Sequence, residues 1–206
     1  KVWNILKSNV EKFANEKEVK NIFVKSNYRE FLNESNIAKD FNNILGDSWY
    51  HGIQHGLALI CTSIPVTYKL RIKNIYIGSS YYEGCEEIFG FLPTCGSDPK
   101  VDNNIKYASG SVIHDAYELN RQKKIHTVAE YVKNEGNNIF FKVCHSQEVE
   151  TNCCDCEKCY RTIFGIIAEG MNPNDFGFEV NSDIGYKFED FLKTNLINIS
   201  PNISYL

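Results

Sequence analysis

Apolar positions along this chain follow two periods, and the periods take turns. Val2, Ile5, Leu6, Val10 and Phe13 recur at helical spacing with Lys and Glu between them, so residues 1–20 are predicted as an amphipathic helix. Short β-rich runs at 21–25, 73–77, 111–114 and 139–143 are predicted as four strands. Between and after them lie four further helical patterns. Residues 57–66 are apolar enough for a buried helix, and 119–132 turn Leu119, Ile125, Val128, Ala129 and Val132 inward. Residues 156–169 carry Ile163, Ile166, Ile167 and Ala168 on one face and end at Gly170. A last helix is expected around 187–196, after which the chain frays. Residues 33–50 and 81–100 show no clear period and read as an irregular connection and a lid or substrate loop. Strands alternating with helices predict an α/β fold, a parallel sheet flanked by helices in a partial Rossmann-like arrangement. Residues 1–170 are assigned to this domain and 171–206 to a helical tail.

The strand ends hold the polar residues of interest. Asn27 follows the first run and reads either as a helix cap after it or as a ligand-facing residue at the strand's C-terminal end. Gly78-Ser79-Ser80 follows the second, where backbone N–H groups and hydroxyls suit a phosphate or polar substrate; a plain turn reads the same. Asp115 is placed as a cap after the third run, and a turn to helix at Arg29 after the first. His51 and His55 share i, i+4 spacing, but no acidic residue completes an H-E-x-x-H pattern, so His55 is expected near a helix start facing a cleft. Gly96-Ser97-Asp98-Pro99 closes the 81–100 insertion. Arg121, Lys123, Lys124 and His126 crowd positive charge where the helix dipole disfavours it. A nearby anion would account for that, and so would a solvated face.

The most specific chemistry lies between Cys144 and Cys159. Cys144, Cys153, Cys156 and Cys159 are spaced C-x8-C-x2-C-x2-C, which lets a tight turn aim three sulfurs at one point and a fourth close a tetrahedron. Four soft anionic ligands with no open position describe a structural Zn²⁺ site. Two disulfides are the competing reading, with Cys154 and His145 as substitute ligands.

Composition narrows the classes. At 206 residues, 43% hydrophobic and 23% charged, the chain is long enough for a real core and ordinary for a globular protein. A net charge of −4 argues against a broad nucleic-acid-binding face and leaves only a local basic patch around 121–124. No apolar run reaches the ~18–20 residues needed to cross a bilayer. Clustered thiols without a secretory signature place the protein in a reducing cytoplasm. A zinc deaminase is disfavoured because no H-x-E precedes the paired cysteines.

The cysteine pattern, with Asn152 to Thr162 (N-C-C-D-C-E-K-C-Y-R-T), resembles the PP-loop ATP pyrophosphatase superfamily of adenine nucleotide α-hydrolase-like fold. The likeness is greatest to the 7-cyano-7-deazaguanine synthase branch and its uncharacterised relatives. Val24 to Arg29, His55 to Leu59, Gly96 to Pro99, Ser111 to Asp115 and Leu119-Asn-Arg121-x-x-Lys124 add to it, covering about residues 2–170. The family's S-G-G-x-D-S nucleotide loop occurs nowhere in these residues. The resemblance therefore implies the C-terminal part of a longer enzyme, or a homologue that has lost the loop. ATP and Mg²⁺ are expected only where the missing part is present. The implied activity is an adenylating, pyrophosphate-releasing ligase or synthase acting on a small-molecule carboxylate or carbonyl. Gly78, Ser79, Ser80, Ser97 and Asp98 would line its acceptor pocket with Asn27 and His55, and Arg121 and Lys124 would lie near phosphate. A small molecule is the expected partner, a homodimer the compatible assembly, and neither a membrane nor nucleic acid is called for. The alternatives are a non-catalytic zinc-stabilised binding module and a tRNA sulfur-transfer enzyme fragment using Cys85 or Cys95.

Overall fold

A computed structural model describes residues 2–30, 32–41, 48–90, 95–108, 110–136, 139–146 and 149–195. Its elements are α1 (Val2–Glu16), α2 (Glu34–Asp40), a π-helical turn (Tyr50–Gln54) running into α3 (His55–Lys69), β1 (Asn74–Gly78), α4 (Cys85–Phe89), α5 (Pro99–Asp102), β2 (Lys106–Tyr107), β3 (Gly110–Asp115), α6 (Arg121–Glu135), α7 (Glu157–Ala168), a 3-10 turn (Pro173–Phe176) and α8 (Ile184–Asn195). The chain divides into two compact units: Phe23–Asn120 forms one, and Lys1–Ile22 with Arg121–Leu206 forms the other.

The unit of Phe23–Asn120 is built on a three-stranded mixed sheet in the order β1-β3-β2. β1 runs parallel to β3 from Asn74 opposite Ser111 to Gly78 opposite Asp115, so both strands end together. The short β2 pairs antiparallel to β3, with Lys106 opposite Ser111. Central β3 alternates as a strand should, burying Gly110, Val112 and His114. Val112 packs with Ile60 of α3 and Tyr107 of β2. Gly110 is required there, because a Cβ at that position would come within 2.3 Å of the Tyr107 ring.

Two of the four expected strands form in this sheet, so the parallel sheet of the sequence reading contracts to one parallel pair and a short antiparallel strand. Residues 21–25 form no strand, and Ile22, Phe23 and Val24 stay exposed. The run has β-forming composition but no strand pairs with it among the described residues, and an unpaired strand leaves its backbone groups to water. The helix expected after Asn27 is a turn at 28–30. Instead, part of the supposedly irregular 33–50 segment is helical: Asn33 caps α2 by accepting from the Asn36 N–H. The insertion likewise contains α4 and α5, the latter capped by Asp98. Asp115 is the last residue of β3 rather than a cap, and α6 starts later, at Arg121.

The other unit packs α6 against α7 around Ile125, Val132, Cys159, Ile163, Ile166, Phe176 and Phe178. Ile163, Ile166, Phe176 and Phe178 are at least 98% buried, and each contributes about 1.5–3 kcal/mol to the unit's stability. Gly165 lets the two helices approach: a Cβ there would lie 2.4 Å from Ile125 Cδ1. α8 contributes Phe188 and Phe191 against the ring of fully buried Tyr160. It begins at Ile184, ahead of the expected 187, and residues 196–206 lie outside the described part.

The fourth expected strand, 139–143, is extended without joining a sheet. Phe141 N–H donates to the Phe176 carbonyl at 2.9 Å, and a side chain supplies further bonds. Asn152 Oδ1 accepts from the N–H groups of Val143 and Cys144 at 3.0 and 3.2 Å, and Asn152 Nδ2 donates to the carbonyls of Phe141 and Gly177 at 2.7 and 3.0 Å. One buried carboxamide thus does part of the hydrogen bonding that a neighbouring strand would have done.

Candidate functional site

In the unit with α6 and α7, the local chain turns four sulfurs inward. Asn152 holds Cys144 from one side. Cys156 occupies the N-cap position of α7 and Cys159 its first turn, so the C-x2-C spacing becomes one helical turn that brings both sulfurs to the same side. The Sγ atoms of Cys144, Cys153, Cys156 and Cys159 all lie within 4.8 Å of one another, and this group could hold a metal ion. Cys153 to Cys159 spans 3.7 Å and Cys156 to Cys159 3.5 Å. A disulfide needs about 2.05 Å between sulfurs, and all eight cysteines are free. By contrast, a tetrahedron with metal–sulfur bonds of about 2.3 Å has edges of about 3.8 Å, close to what the cluster shows.

Cys154 and His145 stand apart from the cluster. Cys154 adopts a left-handed backbone (φ 57°). Its thiol donates to the Asn152 carbonyl and accepts from the Glu179 N–H, tying the knuckle to the segment after α7. His145 is exposed.

Four thiols this close cannot all ionise without a cation. Burial pushes the Cys144 thiol up, but donors from the backbone of Cys153 and Ser146 and from the thiols of Cys153 and Cys156 outweigh it and bring it down to about 7. Burial, with the Cys144 and Cys156 sulfurs, pushes Cys153 up to about 11. Burial and Cys156 likewise raise Cys159. Four thiols held this close form a donor set that fits a soft divalent metal.

The positive start of α6 finds its anion within the chain. His126 Nδ1 pairs with Glu169 Oε2 at 2.7 Å, and Gln122 Nε2 donates to Glu169 Oε1 at 2.6 Å. Arg121 keeps an exposed surface, yet the protein around its guanidinium and the charge of Arg161 lower its pKa to about 10, against the pull of Glu157. Lys124 is half-buried on the same helix.

The unit of Phe23–Asn120 holds a different arrangement, at the shared C-terminal end of β1 and β3. Ser79 and Tyr81, after β1, meet His114 and Tyr117, from the end of β3, around a cavity of about 20 Å³ closed by Cys85, Cys95, Ser97, Asp98 and Pro99. Three of the expected site residues, Ser79, Ser97 and Asp98, therefore do come together. Ser79 N–H donates to the Asp115 carbonyl at 2.9 Å, and its hydroxyl to the Tyr81 carbonyl. Asp98 spends its side chain on the Lys100 N–H, capping α5. His55 sits at the start of α3 with its Nδ1 3.7 Å from Cys95 Sγ. Burial first, and then His51, hold His55 below the usual imidazole range. Asn27, Gly78 and Ser80 are exposed and do not line the cavity, while Arg121 and Lys124 belong to the other unit.

The residues behind this cavity were not singled out as site residues by the sequence. Asp102, at the end of α5, is completely buried, and its Oδ2 accepts from Ser97 Oγ at 2.8 Å and meets His114 Nδ1 at 2.8 Å. The His114 N–H donates to Asn103 Oδ1 at 2.8 Å, pinning β3 to the end of α5. A period-2 reading of 110–115 puts His114 on the face of Val112, the one signal that pointed inward. Nothing in Val-Asp-Asn-Asn marks Asp102.

No family model, curated protein or solved structure matches this chain.

Proposed function

We propose that Cys144, Cys153, Cys156 and Cys159 hold one structural Zn²⁺ and that the chain is the zinc-stapled, substrate-shaping part of an ATP-dependent ligase or synthase. The observation that carries the metal reading is the closure of the cluster: four sulfurs within 4.8 Å, leading directly into α7. A complete Cys₄ set leaves zinc no open position, so the ion supplies folding free energy and no chemistry. Metal analysis of purified protein is expected to return about one zinc per chain; protein that folds with none overturns the staple.

The ligase reading rests on the resemblance of the cysteine motif and its flanks to PP-loop ATP pyrophosphatases. It is supported by the polar cavity at the C-terminal ends of two parallel strands, where α/β sheets bind ligands. In that reading an acceptor carboxylate or carbonyl lies toward Ser79, Ser97 and Asp98, and the nucleotide is gripped by a loop outside these residues. The full-length protein should then release pyrophosphate from ATP only when a carboxylate or carbonyl acceptor is supplied. If ATP is untouched by every acceptor tried, the non-catalytic zinc-stabilised module takes its place. Sulfur transfer through Cys85 is the weakest reading, because burial pushes that thiol up, away from the thiolate such chemistry needs.

A further inference from the structure

Asp102 and His114 are an unusual pair to bury in so small a core. Asp102 is 0% exposed and the His114 side chain 1%, and both stand beside a hydrophobic cluster of only Ile60, Tyr107 and Val112 with their partly buried neighbours. A polar network kept for stability alone is one in which each member is satisfied. Here one buried atom is not. Asp102 Oδ1 is buried without a hydrogen bond, facing the position where a Cβ on Gly56 would come within 2.7 Å of it. The His114 ring has one hydrogen-bonding partner among the described residues, Asp102 at Nδ1.

The carboxylate decides the tautomer. With Nδ1–H directed at Asp102 Oδ2, a neutral His114 carries its lone pair at Nε2. The ring lines the cavity at the C-terminal ends of β1 and β3, and since Nδ1 is engaged, Nε2 is the nitrogen left to address an occupant. A cavity of about 20 Å³ admits one water-sized group. Its lining includes Asp98 and no Lys or Arg, which favours a neutral or cationic group over an anion. Ser97 Oγ donates to Asp102 and Ser79 Oγ to the Tyr81 carbonyl, so neither hydroxyl competes for Nε2.

We propose that His114, oriented by Asp102, is a proton-accepting site for a single water-sized hydrogen-bond donor, an O–H or N–H group, held in the cavity between Ser79, Cys85, Ser97 and Tyr117. The group gives its hydrogen bond, and in a reaction its proton, to Nε2. The imidazolium so formed keeps its second N–H on the Asp102 carboxylate, which balances the charge. Asp102 and Ser97 are positioning residues. The proposal does not depend on ATP chemistry, and it stands or falls separately from the ligase reading.

The test is ¹⁵N NMR of the full chain labelled at histidine, read at neutral pH. His114, assigned by loss of its signals in H114Q, is expected to show a protonated Nδ1 and an unprotonated, acceptor-type Nε2. Titration with ammonium chloride and, separately, with methanol, each against sodium chloride as control, distinguishes the sources. A saturable shift confined to Nε2 with ammonium identifies an N–H donor, and one with methanol an O–H donor. The conservative D102N variant should reverse or mix the tautomers and abolish the response while Ser97 keeps a partner. An unprotonated, hydrogen-bonded Nε2 that answers neither probe identifies water as the O–H donor, whereas a merely structural pair would predict an Nε2 that carries the proton or one with no hydrogen bond, and either of these results overturns the proposal. Should D102N fail to fold, S97A, which leaves the Asp102–His114 contact in place, is expected to weaken the response without changing the tautomer; an unchanged response in S97A removes Ser97 from the site, and a lost tautomer signal in unperturbed protein removes the site itself.

Discussion

The two units bury polar chemistry in opposite ways. In the unit with α6 and α7, the cysteine knuckle is a closed set: four soft sulfurs converge, a spare thiol is bonded at Asn152 and Glu179, and one carboxamide satisfies the flanking backbone. In the unit of Phe23–Asn120, hard nitrogen and oxygen groups converge on Asp102, one of whose oxygens has no partner, and His114 among them lines a cavity. The closed set sits in the larger core, with Cys159, Tyr160, Ile163, Ile166, Phe176 and Phe178 all nearly inaccessible. The open set sits in the smaller one. A group whose every bonding position is filled adds rigidity, whereas one with an unused position is available to a ligand. That contrast separates a staple from a site.

Removing one of the four clustered cysteines should give the largest effect and break the comparison on the side of the proposed staple. Apparent binding free energies of structural zinc are on the order of 10 kcal/mol, comparable to the stability of a whole domain. Cys159→Ser, or a strong chelator, should therefore abolish hydrogen-exchange protection in α7 and the 3-10 turn. Protection in β3 and α3 should outlast it. Simultaneous loss in both places would mean that the units fold as one and that the contrast is not energetic.

A smaller pair of effects compares the two buried polar hubs directly. Asp102→Ala strands His114 Nδ1 and Ser97 Oγ, and losing hydrogen bonds to a buried carboxylate costs about 1.5–3 kcal/mol each, measurable by urea denaturation. Asn152→Ala strands the N–H groups of Val143 and Cys144 and the carbonyls of Phe141 and Gly177, for about 1–3 kcal/mol after water re-enters. Only the second should also weaken metal binding, because Asn152 orients Cys144. A metal affinity unchanged in Asn152→Ala would show that the carboxamide supports the backbone alone.

The smallest effect lies at the surface. The side-chain hydrogen bonds of His126, and then Gln122, hold the Glu169 carboxyl below its ordinary 4.5. A depressed folded-state pKa stabilises above the unfolded value and is lost as pH falls through the folded one, so this contribution is present at neutral pH and fades on acidification. Glu169→Gln should slightly flatten the acid limb of a stability–pH curve, and salt should shrink the difference further. An acid limb identical to that of the parent would leave the contact without energetic weight.

Local patterns made several elements legible in the chain. Helical periodicity located α1, α3, α6 and α7 within a few residues, and alternation located β1 and β3. The cysteine spacing identified the four sulfurs that converge and kept Cys154 outside them. These features were readable because each arises among residues within a turn or two of one another. The runs at 21–25 and 139–143 misled for the complementary reason: they have the composition of strands, and whether a strand forms depends on an edge that lies elsewhere in the chain.

By itself, then, the sequence determined the longer helices, the strands β1 and β3 and the four-cysteine cluster, all of them set by short-range spacing. Only the tertiary structure decided that 139–143 would hydrogen-bond to an asparagine side chain instead of a strand, and that Asp102, Ser97 and His114 would meet beneath a cavity. Those contacts join residues from separate elements, and their selection rests on the cost of leaving a buried donor or acceptor unpaired, a cost that exists only once the chain has closed around it.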